Sequence, residues 1–228
     1  MPKKIPNTFW LTAVVDSEKG RNIPDSLKER HAFYSLVGVT NYLSYDYEDI
    51  PHTKLVQDGK IKNYYNLAAM PRAFIVHGWS VVNTPEEALH WMLNNPLSFG
   101  SEAVVEGTGI PAVAYLQEKS LATAKIKSYN LHSVEIEAET RSPGLLILTD
   151  TYHSDWRVTV DGKNENIFPA DLCFRGVFLK PGKHLVKFNY FPKAFYICIL
   201  VTFITLLIIF LLVFKELRKN AKHKKQSS

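Results

Sequence analysis

The sequence contains little cysteine and lacks the paired ligands that metal sites and disulfides need. Its 228 residues include two cysteines, and one of them, Cys198, lies inside a long apolar run. Cys173 and Cys198 are therefore not expected to pair, so the chain must rely on a hydrophobic core. The eight histidines are scattered, and no histidines or cysteines have metal-ligand spacing. We expect neither a metal nor a cofactor.

Signatures of nucleophilic catalysis and of phosphate binding are also missing. There is no Gly-x-Ser-x-Gly sequence, and the short run at 106–109 is too brief for a phosphate-binding glycine loop. A glycoside hydrolase needs two carboxylates at a defined separation, and the spacing here indicates no particular pair. We therefore expect the chain not to be catalytic alone.

The N-terminus has no apolar segment of the kind that secretory signals contain. Residues 1–20 include basic side chains but no apolar stretch of signal length. The sequence thus predicts either an export route that it does not reveal or the end of a longer polytopic protein, and we prefer the second.

One apolar run is present near the C-terminus. Residues 194–214 contain 21 amino acids without a charge, and at about 1.5 Å per helical residue they span ~31 Å, the thickness of a bilayer core. The last 14 residues carry six basic side chains against Glu216 alone. By the positive-inside rule the tail is cytoplasmic. The sequence predicts a single-pass cell-membrane protein with an extracytoplasmic head, a transmembrane helix at 193–214 and a basic tail at 215–228.

The head has no excess of charge once the tail is set aside. The tail accounts for six of the 27 basic residues and one of the 22 acidic residues, which leaves 21 of each. A nucleic-acid-binding head would need a basic face, and no run supplies one. We expect the lipid bilayer as a partner and no nucleic acid, with the tail against anionic headgroups.

The first part of the head mixes helix and strand signals. A capping box at 26–29 begins a helix that should end at Gly38, and residues 39–47 read as a strand. Asp58-Gly59 predicts a hairpin, and residues 74–82 read as one strand. Thr84-Pro85-Glu86-Glu87 predicts a helix start, with a buried stripe formed by Ala88, Leu89, Trp91 and Met92.

From about Ala122 onwards the pattern becomes a series of short strands with turns. Glu135, Glu137 and Glu139 alternate with apolar residues, which favours a solvated strand face over a metal or catalytic cluster. Asp161-Gly162 and Pro181-Gly182 predict turns, and Gly176 predicts close packing or a bulge. Residues 145–149 are apolar on both faces, as expected of a central strand.

These patterns predict an α+β fold, mostly antiparallel β and β-sandwich-like, with a single C-terminal transmembrane helix. The predicted segments are 1–115 (mixed α/β), 116–192 (antiparallel β), the helix at 193–214 and the tail at 215–228. Whether the head is one domain or two stays open at this stage.

A spaced series of motifs resembles the C-terminal part of YfhO-type bacterial membrane proteins. The series consists of Asp150-Thr151-Tyr152, Trp156, Val160-Asp161-Gly162, Phe174-Arg175-Gly176-Val177, Pro181-Gly182-Lys183-His184 and Tyr190-Phe191-Pro192. Upstream, Tyr65-Asn66, Met70-Pro71-Arg72-Ala73-Phe74 and Pro85-Glu86-Glu87-Ala88 are similar to the preceding part of the same family.

The resemblance implies a function in cell-envelope glycosylation. YfhO-type proteins look like GT-C-fold glycosyltransferases that use lipid-linked sugars, and their catalytic carboxylates lie in an N-terminal membrane portion that this sequence does not contain. The resemblance thus implies an accessory domain and anchor, with a polytopic glycosyltransferase core and an envelope glycan as partners, and no catalytic residue here. The alternative is a freestanding anchored interaction module that recruits a polytopic partner.

Four residues of the motif series form a candidate glycan-binding set: Asp150, Tyr152, Trp156 and Arg175. Sugars favour an aromatic face beside a carboxylate and a planar donor. The same residues also allow a structural interpretation, in which Asp150 and Arg175 form a buried pair that pins two strands and Trp156 is a core residue. We favour the buried pair.

Overall fold

In the computed structural model, the described residues are 11–15, 31–32, 34–45, 47, 49, 52–95, 100–111 and 121–226. The predicted helix start at 26–29 lies outside them. Two helices have both ends among the described residues, α1 (Pro85–Asn94) and α2 (Lys193–Gln226), and residues 31–32 and 34–36 are also helical. The strands are β1 (Leu11–Val15), β2 (Val39–Ser44), β3 (Thr53–Gln57), β4 (Lys62–Asn66), β5 (Ala73–Val76), β6 (Gly78–Val82), β7 (Glu102–Glu106), β8 (Ala122–Asn130), β9 (Ser133–Thr140), β10 (Gly144–Thr151), β11 (Trp156–Val160), β12 (Lys163–Glu165), β13 (Phe168–Ala170), β14 (Phe174–Leu179) and β15 (Gly182–Tyr190).

Within the described residues, the strands form three sheets. The first has the order β1-β2-β4-β3, the second β5-β10-β14-β13-β7-β6 and the third β12-β11-β15-β9-β8. The pairs β1–β2 and β6–β7 are parallel, whereas β10–β14, β8–β9 and β9–β15 are antiparallel. The predicted α+β class with mostly antiparallel strands is confirmed.

The first sheet contains the hairpin predicted at Asp58-Gly59, since β3 and β4 pair antiparallel on either side of it. The strand predicted at 39–47 is β2 and ends at Ser44. Residues 34–36 before it are helical, and Gly38 follows with φ +80°. The predicted helix end at Gly38 is therefore confirmed, because this left-handed conformation favours glycine.

The second sheet corrects the prediction of one strand at 74–82. This extended segment is divided at His77 into β5 and β6, which lie at opposite ends of the strand order. β5 pairs with β10, and β6 pairs with β7. The His77 ring lies 3.0 Å from the carbonyl oxygen of Pro143, a contact at the break that a periodic strand pattern does not reveal.

Helix α1 begins as predicted, directly after Thr84. Thr84 caps it by accepting a hydrogen bond from the Glu87 N–H at 3.2 Å, and Glu87 in turn accepts from the Asn83 N–H at 2.8 Å. These bonds satisfy donors that a helix start leaves open. Ala88 and Met92 are buried, but Leu89 is exposed, so the predicted buried stripe is wrong at that position.

The third sheet confirms the solvated glutamate face. Val134, Ile136 and Ala138 are buried, whereas Glu137 and Glu139 are exposed. The turn between β11 and β12 has φ +52° at Asp161 and +80° at the following glycine. Positive φ at both central residues is the type I′ geometry that favours Asp-Gly in hairpins.

The second sheet is covered on both faces, which confirms the sandwich-like arrangement. One face packs against the third sheet through the cluster of Ala73, Leu146, Leu148, Val177, Leu179, Val134, Ile136, Ala138, Val158, Val186 and Phe188. The other face packs with α1 through a cluster that includes Val76, Leu145, Ile147, Ala88 and Met92.

Strand β10 is buried on both faces and lies between β5 and β14, as predicted for a central strand. Gly176 in β14 packs closely against its neighbours: an added Cβ would lie 3.0 Å from Leu145 Cδ1 and 3.2 Å from Ala170 Cβ. Close packing, the role predicted for Gly176, is confirmed.

The second sheet takes strands from both sides of the predicted boundary at 115/116. That boundary stays a prediction. By its internal contacts the chain divides instead into two compact units, 1–189 and 190–228.

In the second unit, residues Lys193–Lys215 of α2 form a 23-residue stretch that contains an 18-residue window with a mean hydropathy of 3.3 and no buried side chains. Among the described residues, this is the one helix that is long and apolar enough to cross a membrane. The Thr202 and Thr205 hydroxyls donate to the carbonyls of Cys198 and Val201 at 2.8 and 2.9 Å. The two threonine hydroxyls of the span thus donate within their own helix, as a lipid environment favours.

Candidate functional site: a buried charge cluster between two sheets

The structure brings together three of the four predicted site residues. Asp150 lies near the end of β10, Arg175 lies on the neighbouring β14, and Trp156 begins β11 of the third sheet. Tyr152 stands apart: its N–H donates to the Cys173 carbonyl at 2.7 Å, and its side chain makes no hydrogen bond or ring contact with the other three within the described part of the chain.

The Asp150 carboxylate is the centre of the cluster. Its Oδ1 accepts from Arg72 Nε at 2.9 Å and Arg72 Nη2 at 2.6 Å, and its Oδ2 accepts from the Tyr129 hydroxyl at 2.9 Å and from Arg175 Nη2 at 3.0 Å. A carboxylate has about four acceptor positions, and all four are used. With its side chain 5% exposed, Asp150 is a buried charge that is fully hydrogen-bonded.

Arg175 is the buried cation of the cluster, and its guanidinium contacts both the Asp150 carboxylate and the Trp156 ring. Its guanidinium carbon lies 3.8 Å from the ring centre of Trp156 and 5.7 Å from that of Phe188. Burial lowers the pKa of Arg175 from its ordinary value, and the charge of Asp150 opposes that shift. The guanidinium remains charged, since arginine does not deprotonate in proteins.

Arg72 lies on the solvent side of the cluster, and 38% of its side chain is exposed. Burial acts to lower the pKa of Arg72, but the charge and hydrogen bonds of Asp150 outweigh it, so the pKa is raised. Burial, followed by the hydrogen bond to Asp150, raises the pKa of Tyr129. The Tyr129 hydroxyl therefore stays protonated and acts as a donor to the carboxylate.

Arg72 and Tyr129 are the members that the sequence interpretation missed. Arg72 does lie in the quoted motif Met70–Phe74, and Tyr129 lies near the end of β8, but neither position indicates a partner. Arg72 meets Asp150 because β5 pairs with β10 in the second sheet, and Tyr129 meets it because the third sheet packs on the second. Spacing along the chain gives neither contact. The buried pair of Asp150 and Arg175, which we favoured from the sequence, is present at 3.0 Å.

A second buried carboxylate, Asp171, lies in the turn between β13 and β14. It is 1% exposed, its Oδ1 accepts from the Val104 N–H at 3.0 Å, and its own N–H donates to the Val104 carbonyl at 2.8 Å. Burial raises the pKa of Asp171 to about 7, against the effect of the Val104 hydrogen bond. No ion pair to Asp171 occurs among the described residues, and no group of three or more metal-binding side chains was found there.

Comparison with known proteins identifies a family for part of the chain. Residues 111–202 match the family model described as bacterial membrane protein YfhO. No curated protein and no solved structure matches the chain. The matched segment contains Asp150, Trp156 and Arg175, and it extends into the first residues of α2. The resemblance seen in the motif series is thus confirmed: residues 111–202 are YfhO-like, whereas the upstream motifs between Tyr65 and Ala88 lie outside the match.

Proposed function

We propose that this chain is the extracytoplasmic accessory domain and membrane anchor of a YfhO-like glycosyltransferase that acts on cell-envelope glycans. The observation that carries the proposal is the extent of the family match. One continuous segment runs from before β8 through the third sheet and through β10, β13 and β14 of the second sheet, and it ends in the apolar helix. We infer that this β-rich segment and its helix form one unit of the family, while the catalytic carboxylates are expected in a membrane core outside these residues.

The proposed orientation places the head outside the membrane and the basic tail in the cytoplasm. Its support is the sequence of the last 14 residues, which carry six basic side chains and one acidic one. A lipid-linked sugar is used outside the membrane, so this orientation would put the head beside the acceptor glycan.

Within the head, we assign the charge cluster a bracing role. Removing a charge from water is costly unless it is paired and hydrogen-bonded, and Asp150 meets both conditions with donors from three residues, in β8, in β14 and directly before β5. One face of the Trp156 ring is occupied by Arg175 and is closed to a sugar. The glycan-binding set of Asp150, Tyr152, Trp156 and Arg175 stays a prediction, and we propose that glycan is contacted elsewhere on the head.

The experiment that tests this function deletes the chain from its native cells and measures sugar incorporation into envelope polymers with a radiolabelled nucleotide sugar. Loss of incorporation, restored by the full chain, supports the proposal. Crosslinking in membranes should then capture a polytopic glycosyltransferase. Capture of a polytopic protein with unchanged envelope glycosylation would overturn it in favour of a recruiting module with no sugar-related role.

A further inference from the structure

The outer face of the third sheet carries a regular array of opposite charges, which we call the charged face. Its central strand β9 supplies Glu135, Glu137 and Glu139, and the flanking strands β8 and β15 supply lysines. Lys127 reaches Glu137 at 2.9 Å, Lys183 reaches Glu139 at 3.6 Å and Lys187 reaches Glu135 at 2.9 Å.

Part of the charged face is concave. A groove of about 550 Å³ lies over β8, β9 and β15, beside the Asp161 turn. This volume lies within the range of ligand sites, roughly 300–1,000 Å³. Its charged lining includes Lys125, Lys127, Lys183, Glu137, Glu139 and Asp161, whereas the pair of Lys187 and Glu135 lies on the same face outside it.

The charges of the groove exclude one class of ligand and favour another. Three lysines face three carboxylates. A polyanion such as a nucleic acid or a phosphate polymer would gain little from such a balanced lining. Alternating ammonium donors and carboxylate acceptors instead match hydroxyl groups, each of which both donates and accepts a hydrogen bond.

The ion pairs of the groove are available for exchange with a ligand. The side chains of Lys183 and Glu139 are 80% and 55% exposed, and exposed pairs of this kind contribute little, since water already competes for them. Lys125 forms no ion pair within the described part of the chain. Hydroxyl groups can therefore take the place of water or of a paired side chain with little loss.

We infer that this groove binds an uncharged, hydroxyl-rich stretch of glycan. The inference rests on the proposed function and assigns the glycan contact to a part of the head distinct from the buried charge cluster. Lys125 and Lys183 donate to sugar oxygens, and Glu137 and Glu139 accept from sugar hydroxyls. Hydrogen bonds to charged groups give such a shallow site its selectivity.

The test uses the full chain in lipid nanodiscs and isothermal titration with two neutral oligosaccharides, chitopentaose and maltoheptaose, and one anionic oligosaccharide, pentagalacturonate. The groove variant is Lys183→Gln with Glu139→Gln, which removes both charges and leaves the net charge unchanged. The matched control is Lys187→Gln with Glu135→Gln. Both pairs lie directly opposite each other on β15 and β9, but only the first lines the groove.

We expect a neutral oligosaccharide to bind the wild type, and the groove variant to bind it about tenfold or more weakly, with the control unchanged. Equal thermal unfolding of both variants shows that the fold is intact. If glycan binds and both variants bind like the wild type, the groove assignment is overturned while the proposed function survives. If pentagalacturonate binds and the neutral sugars do not, the ligand class is overturned. If no glycan binds the wild type, two statements are overturned: that this groove binds glycan, and that the head contacts glycan at all.

Discussion

The guanidinium of Arg175 lies over the ring of Trp156, with 3.8 Å between the guanidinium carbon and the ring centre. This contact connects the second sheet to the third, because the two residues belong to β14 and β11. A cation over an indole ring is attracted to its face, more strongly when water is excluded. The aromatic residue that resembled a sugar platform in the sequence is thus used to hold an internal charge.

Asp150→Ala is expected to destabilise the head by about 3–5 kcal/mol, because it leaves the buried Arg175 without its counter-charge. Thermal unfolding of the full chain, followed by circular dichroism, measures the effect. Glu165→Ala on the exposed strand β12 is the control and should change stability little. A loss below about 1 kcal/mol for Asp150→Ala would contradict the bracing role.

Asp171→Asn is expected to stabilise the protein at alkaline pH. The pKa of Asp171 is about 7 when folded, raised by burial from 3.8. The folded state then holds the proton more tightly, so stability falls as pH rises from about 4 and levels off above about 7. Asparagine removes that loss while its side-chain oxygen can still accept from the Val104 N–H. Above pH 7 we expect a gain of about 1–4 kcal/mol in the free energy of unfolding.

The diagnostic result for Asp171 is the pH profile. Unfolding midpoints measured from pH 4 to pH 9 should fall for the wild type and fall less for Asp171→Asn. Parallel profiles would contradict the assignment, since a purely structural effect of the substitution would not depend on pH.

Asp161→Asn should give the opposite sign. The hydrogen bond from the Leu185 N–H, followed by that to His184, lowers the pKa of Asp161. A lowered pKa stabilises the fold above the ordinary value of 3.8, and the contribution is lost as pH falls through the folded pKa. The variant should therefore be less stable than the wild type at pH 6, and this deficit should be smaller at pH 2. Asparagine tolerates the positive φ of this turn, so the comparison isolates charge. An equal deficit at both pH values would point to turn geometry instead.

Gly176→Ala is expected to cost about 1–3 kcal/mol of stability through overpacking. The added Cβ would lie 3.0 Å from Leu145 Cδ1 in the core of the second sheet. Gly59→Ala is the matched control, because its nearest neighbour would be 3.7 Å away. Chemical denaturation of both variants should show a loss for the first and little change for the second. A neutral Gly176→Ala would mean that β14 shifts to make room.

The membrane orientation can be tested with single cysteines in a Cys173→Ser, Cys198→Ser background. Lys163→Cys lies on the exposed strand β12 of the head, and Ser228→Cys ends the basic tail. A membrane-impermeant maleimide should label Lys163→Cys in intact spheroplasts and Ser228→Cys only after lysis. The reverse pattern would place the head in the cytoplasm and contradict the proposed function.

Local signals in the sequence predicted local structure well. The cap formed by Thr84 and Glu87, the turn at Asp161-Gly162 and the alternation along β9 involve neighbours in the chain, so their chemistry is visible in the printed order of residues. The buried pair of Asp150 and Arg175 was predicted from the opposite charges of two residues in strand patterns, although β11, β12 and β13 lie between their strands in the chain.

Other features depended on contacts between distant segments and could not be foreseen. Arg72 meets Asp150 because β5 pairs with β10, and Tyr129 meets it because the third sheet packs on the second. The break at His77 exists because β5 and β6 pair with different strands. Leu89 resembled a core residue by spacing, but α1 is covered on one narrow side only. Which distant residues and strands contact each other is decided by the packed structure and is not visible in the local sequence.

The division at His77 has a consequence for the order in which the chain can fold. β5 must wait for β10, since Ala73 pairs with Leu148, and the intervening chain contains α1, β7 and the β8–β9 hairpin. Closing so large a loop loses conformational entropy before the β5–β10 contacts can stabilise the chain, and this slows folding. During synthesis the apolar residues of β5 therefore remain unpaired until most of the head has emerged. During that time they are exposed to chaperones and to aggregation.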